Sequence, residues 1–227
     1  MFFLKKINNR WSAFFLHLIV SFLIFLVLSS IIRFVWFPGF LFEVDGGLQG
    51  ITLIAGVDIV VGPILTLLIF NVAKKELSRD MLIIAVMQFA CICGGMAVVE
   101  HSRPIAVVFL DGKYVTVNRH SFEQSRMDMP GFDSFISGFG PAWVYVNLPD
   151  DSKDVIIQAW SFFGRNIATN TELYEPYENA IGRLTEYGIL NDRGSVEIDY
   201  SGRYFFGVVD VNVASGEIVG LISKEKY

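Results

Sequence analysis

With 227 residues, 53% of them apolar and only 18% charged, and a mean hydropathy of +0.49, the chain is too apolar for an ordinary soluble protein. Its net charge of −5 is concentrated toward the end, where residues 101–227 carry 11 Lys and Arg against 17 Asp and Glu, which excludes nucleic acid and anionic lipid surfaces as partners of that part. Both cysteines, Cys91 and Cys93, lie in one apolar stretch, so residues 101–227 stand without disulfides on their own core.

The apolar excess sits in the first hundred residues. Phe14–Ile32 holds no formal charge, Ile51–Val72 holds only Asp58, and Met81–Val99 holds none. Each approaches the roughly 20 residues that a helix needs to cross about 30 Å of hydrocarbon. They predict a transmembrane bundle over residues 1–100, with helices at about 12–34, 51–72 and 80–100. The first is read as an anchor and not a cleaved signal, because its apolar run is long and Arg33-Phe34-Val35-Trp36 follows where small residues belong. Lys5, Lys6 and Arg10 precede the first helix and Lys74, Lys75 and Arg79 precede the third, whereas the intervening loop pairs Arg33 with Glu43 and Asp45. The positive-inside rule then predicts a cytoplasmic N-terminus, with residues 101–227 on the far side of the bilayer, the periplasm of a bacterial inner membrane.

His101-Ser102-Arg103-Pro104 closes the membrane part, since Pro104 interrupts the helix. Ile105–Leu110 and Tyr114–Val117 flank Asp111-Gly112 and predict a hairpin. Residues 118–138 read as a polar helix-and-loop excursion. Ala142–Leu148 and Val155–Phe162 read as extended segments separated by a turn at Pro149-Asp150-Asp151. Tyr177, Ala180, Ile181 and Leu184 follow helical spacing, with Gly188 as the stop. Phe205, Val209, Val211 and Val213 then alternate as a strand, and Ala214–Glu217 turns into a last strand, Ile218–Ile222. Residues 101–227 are thus expected to form a soluble α+β domain with a mainly antiparallel sheet.

Asp58 is the residue that most needs a reason, because a carboxylate in hydrocarbon costs roughly 2.5–3.5 kcal/mol on insertion scales. It is read as an acid satisfied in the bundle, a group docking another protein's helix, or a proton carrier. Helix rise places it roughly 12 Å below the outer surface, and His17 and Gln88 roughly 9–11 Å above the inner one. By that arithmetic His17 pairs with Gln88, and Ser21 comes nearer to Asp58's level. One acid and a shallow histidine make a poor proton path, so packing and docking are the preferred roles. Pro63 cannot donate to the Ile59 carbonyl, so the helix is expected to kink there, and Gly56 and Gly62 permit close approach of another helix. Cys91 and Cys93 point to different helix faces, and His17, His101 and His120 match no metal-ligand spacing. No phosphate-binding or nucleophile motif occurs, and no catalytic residue, cofactor or metal is expected.

The loop Phe42-Glu43-Val44-Asp45-Gly46-Gly47-Leu48-Gln49-Gly50, the stretch Gly56–Leu67, Arg103-Pro104 and Phe139-Gly140-Pro141-Ala142-Trp143-Val144-Tyr145 together resemble the TfpX/TfpZ family of type IV pilin accessory proteins. The resemblance implies an inner-membrane protein that assists or modulates pilin assembly and dynamics, with the major pilin or the assembly proteins as partners and no known reaction. It marks Glu43, Asp45, Gly46, Gly47, Gln49, Gly50, Gly56, Asp58, Gly62 and Pro63 as interaction or packing residues. The alternatives are a membrane enzyme modifying pilin, with Asp58 or the pair Glu43 and Asp45 as acid or base, and a periplasmic sensor or binding module. The oligomeric state and the role of residues 118–138 are left open.

Overall fold

The structure is a computed structural model and describes residues 9–127 and 140–222. The basic residues Lys5 and Lys6, part of the 118–138 excursion and Phe139 lie outside the described residues. The chain divides into two compact units, Met1–Phe34 with Leu48–Glu100 and Val35–Gly47 with His101–Tyr227. The segment Val35–Gly47, inside the expected 1–100 domain, therefore belongs to the second unit by its contacts.

In the first unit, α1 (Arg10–Ile31) starts at Asn9, whose side chain accepts the Ser12 N–H, and runs into a π-helical turn over Ile32–Trp36. After the short helix α2 (Leu41–Val44), part of the second unit, the second long apolar helix is built from α3 (Gly47–Ala55), a π turn over Gly56–Val61, and α4 (Gly62–Ile69). The third long apolar helix is α5 (Leu77–Ser102). Arg10–Trp36, Gly47–Ile69 and Leu77–Ser102 are each long and apolar enough to cross a membrane. Leu68, Phe89 and Val27 are 72%, 69% and 61% exposed, a surface suited to lipid and costly in water. Helix begins at Gly47, inside the stretch expected to be a loop, because glycine costs little at a helix's first position and its bare Cα abuts Phe42. Where a kink was expected at Pro63, the helix carries a π turn just before it, and Pro63 sits in the first turn of α4, where its missing N–H costs little.

In the second unit, Pro104 opens β1 (Pro104–Leu110), and Asp111 and Gly112, both at positive φ, turn the chain into β2 (Lys113–Asn118). Then come α6 (Arg119–Ser125), β3 (Ala142–Val146), α7 (Lys153–Phe162), β4 (Tyr174–Pro176), α8 (Glu178–Ile181), α9 (Leu184–Tyr187), β5 (Ser195–Ser201), β6 (Phe206–Asn212) and β7 (Ile218–Ile222). One sheet has the order β4-β3-β1-β2-β5-β6-β7. It is a mixed sheet: β1–β2, β3–β4, β5–β6 and β6–β7 pair antiparallel as expected, while β3 lies parallel to β1 and β5 parallel to β2. Hairpin reasoning pairs each strand with its neighbour in sequence. Here two long connections return the chain to either flank of the first hairpin, and parallel pairing of the kind seen there needs connections of that length. Val155–Phe162, read as extended, is α7, and it turns Ile156, Ile157 and Trp160 toward the core. The Tyr177–Gly188 pattern forms two short helices ending at Gly188.

Both faces of the sheet are covered. Val107, Phe109, Tyr114, Ile198, Tyr200 and Val209 pack with Leu41, Val44 and Leu184 on one face. Ala106, Val108, Val144 and Val146 pack with Phe122 and Ile167 on the other. Central β1 is therefore almost wholly buried and reads as a continuous apolar run.

Candidate functional site

The Asp-Gly-Gly stretch is a clamp within the second unit. Asp45 is 3% exposed, and its Oδ1 accepts from Thr116 Oγ1 at 2.7 Å and from the Arg203 N–H at 2.9 Å. Its Oδ2 accepts from the Tyr200 hydroxyl at 2.9 Å, and the Val44 carbonyl accepts from the Tyr204 N–H at 2.9 Å. Residues 44–45 are thus stitched to β2 and to the β5–β6 turn. Burial pushes the Asp45 carboxyl above its ordinary value, opposed by the hydrogen bonds from Arg203, Thr116 and Tyr200. Gly46 follows at φ +106°, where a side chain is strained, and Gly202 leaves a Cβ only 2.9 Å from Asp45 Oδ1. Replacing Gly46 by Ala is expected to cost about 1–2 kcal/mol through φ alone, since the facing Tyr204 ring can swing away. A urea midpoint for the full chain in mild detergent measures it, and an unshifted midpoint contradicts the strain.

Asp45 and Glu43 stand in different settings. Asp45 is buried on its own donors, whereas Glu43 is exposed on α2. Gln49 is exposed, and a Cβ on Gly50 would meet Val99 at 3.0 Å, so Gly50 is a packing glycine of the first unit.

The second cluster is a polar seam through the first unit. Asp58, Gly62 and Thr66 recur every four residues on one span, His17 and Ser21 do so on α1, and Gln88 of α5 enters between them. Thr66 Oγ1 lies 2.5 Å from His17 Nδ1, and His17 Nε2 lies 2.7 Å from Gln88 Oε1. The Gln88 amide donates to Ser21 Oγ at 3.0 Å, to the Asp58 carbonyl at 3.2 Å and to Asp58 Oδ1. These partners assign His17 as the tautomer donating through Nε2. Asp58 is fully buried, and its Oδ2 has no hydrogen-bond partner among the described residues. The His17–Gln88 pair is as expected, but Gln88 is not separated from Asp58 as helix rise predicted, because side-chain reach closes the gap between their backbone depths. Gly62 supplies the room, since a Cβ there would lie 2.4–2.7 Å from the Gln88 amide. Gly56 faces the other way and meets nothing within 4 Å. Thr66 joins this cluster beyond the residues expected from the sequence, and its spacing of eight from Asp58 is the signal that points to it.

Two further features lie in the second unit. A cavity of about 760 Å³ is lined by Pro38, Phe40, Pro141, Trp143, Pro176 and Tyr177, bringing together residues near both resemblance motifs. Elsewhere in that unit His101 and His120, 19 residues apart in sequence, meet Glu123, while His17 stays in the seam. Cys91 and Cys93 are free and exposed on α5.

No protein-family model matches the chain, and no solved structure does. The chain is 35% identical over 96 residues to the fimbrial assembly protein of serogroup E1 of Dichelobacter nodosus, which covers 41% of this chain and 37% of the relative. The serogroup I protein of the same organism is 33% identical over 96 residues, again 37% of its length, so the chain spans just over a third of these two curated relatives. The protein of serogroups C1 and C2 is also 33% identical over 96 residues, and there the match reaches 73% of the relative. On that coverage and identity, the chain belongs to the family of these fimbrial assembly proteins.

Proposed function

We propose that the protein is an inner-membrane accessory of type IV pilus biogenesis, of the TfpX/TfpZ kind, that acts by protein contacts and not by a reaction. Its kinship with fimbrial assembly proteins carries this reading. The three spans cross the membrane with the N-terminus cytoplasmic, and the sheet unit stands in the periplasm against pilin or the assembly machine. The contact with the pilin's apolar helix is made on the open side of the π turn, where Gly56 has no neighbour within 4 Å and Val60 is 51% exposed. Asp58 faces the opposite way and holds that turn in place.

The test separates docking from packing. Gly56→Leu is expected to lower surface piliation severalfold while the protein accumulates normally. Gly62→Leu instead collides with Gln88 and lowers accumulation itself. A photo-crosslinker at Val60 should capture pilin. Normal piliation in Gly56→Leu together with no pilin captured at Val60 would remove the docking reading.

A further inference from the structure

We propose that His101, His120 and Glu123 form a binding site for a divalent transition metal, with Zn²⁺ as the ion that suits it best. His101 lies in the last turn of α5, and His120 and Glu123 lie one turn apart on α6. His101 Nε2 is 3.6 Å and His120 Nδ1 4.0 Å from Glu123 Oε2, and one ligand atom from each of the three lies within 4.8 Å of the others. Tetrahedral zinc with bonds of about 2.0–2.2 Å holds its ligand atoms roughly 3.4 Å apart. The gap closes by small rotations, which these side chains can make because they are 45%, 71% and 55% exposed.

The backbones that carry the ligands are tied together. Asn118 caps α6 by accepting the Ser121 N–H at 3.0 Å, and the Ser121 hydroxyl receives the Asn118 N–H at 3.2 Å. The Asn118 amide also donates to the Ser102 carbonyl at 3.5 Å, joining the start of α6 to the end of α5. His101 is thereby held beside the helix that supplies the other two ligands before any ion arrives. Two imidazoles and one carboxylate suit Zn²⁺, whereas Mg²⁺ and Ca²⁺ prefer an all-oxygen shell. Three protein ligands leave a fourth position for water or a further ligand, unlike a closed structural zinc site. His101 and His120 also line a cavity of about 530 Å³, together with Asn118, Thr116 and Arg203, so a further ligand has space beside the ion. None of this depends on docking to pilin.

The experiment uses the full chain in detergent micelles, stripped of metal, with Cys91→Ala and Cys93→Ala so that thiols do not compete. Titration with Zn²⁺ against a chromophoric chelator is expected to give one ion per chain. His101→Ala, His120→Ala and Glu123→Gln should each weaken binding at least about tenfold, given that loss of an outer partner alone costs about 10–100-fold. Co²⁺ should give the intense visible absorption of a four-coordinate complex, and His101→Ala should lose it. Unfolding of the metal-free variants should match the parent, since all three side chains are exposed. Binding below one ion per chain, unchanged affinity in the histidine variants, or equal binding of Mg²⁺ would overturn the site.

Discussion

Asp45→Ala is expected to destabilise the sheet unit by about 2–4 kcal/mol, because Thr116, Tyr200 and the Arg203 N–H all lose their acceptor where Tyr200 has no access to water. Asp45→Asn should cost far less. It retains Oδ1 for Thr116 and Arg203, and its amide can donate to the Tyr200 oxygen if that hydroxyl turns. The pH dependence has a definite sign. Burial raises the carboxyl above its unfolded value of 3.8, so the folded state holds this proton more tightly than the unfolded chain does. The corresponding stability is fully present below pH 3.8 and is lost as pH rises through the folded value. Wild type should therefore lose ground to Asp45→Asn as pH rises across that interval. Urea midpoints of both proteins from acid to neutral pH measure it. A wild-type advantage that grows with pH would show that the hydrogen bonds outweigh burial, contrary to the balance argued above.

Gln88→Ala should cost about 2 kcal/mol in the bundle. Its amide serves His17, Ser21 and Asp58, and hydrogen bonds between membrane helices average roughly 0.6 kcal/mol, with a ceiling near 1.7. Gly62→Ala should destabilise as well, because its Cβ would enter the space of the same amide. The two losses are expected to be strongly non-additive, since removing Gln88 vacates the space that the new methyl group needs. Thermal denaturation of the wild type, both single variants and the double variant in one detergent closes the cycle. Additive losses would mean that Gly62 and Gln88 do not share this contact. Asp58→Asn should be nearly neutral in the same assay, because Asn retains an acceptor toward the Gln88 amide. An effect of Asp58→Asn on piliation without loss of stability would instead move Asp58 from packing to partner contact.

Asp45 and Asp58 are both conspicuous acids in the sequence, yet their roles depend on neighbours that spacing does not reveal. Asp45 takes its partners from residues 71, 155 and 158 positions away, so nothing local distinguishes it from exposed Glu43 two residues earlier. For Asp58 the signal was present but unread. Polar residues every four positions on two apolar helices mark facing stripes, which is how Thr66 and Ser21 belong with Asp58 and His17. The missed strand β5 is similar: Val196, Ile198 and Tyr200 alternate with Glu197 and Asp199, and the buried residues are the apolar set.

The amino-acid sequence by itself determined the three apolar spans, the break at Pro104, the Asp111-Gly112 hairpin and the closing strands. Each of these depends on hydropathy, backbone freedom or periodicity within some twenty residues. Only the tertiary structure decided that the sheet is mixed, that Val35–Gly47 joins the second unit, that Asp45 is buried apart from Glu43, and that Gln88 reaches Asp58. It also decided that His101 and His120 meet at Glu123. Crossovers and side-chain reach across long separations set these outcomes, and no local pattern encodes them.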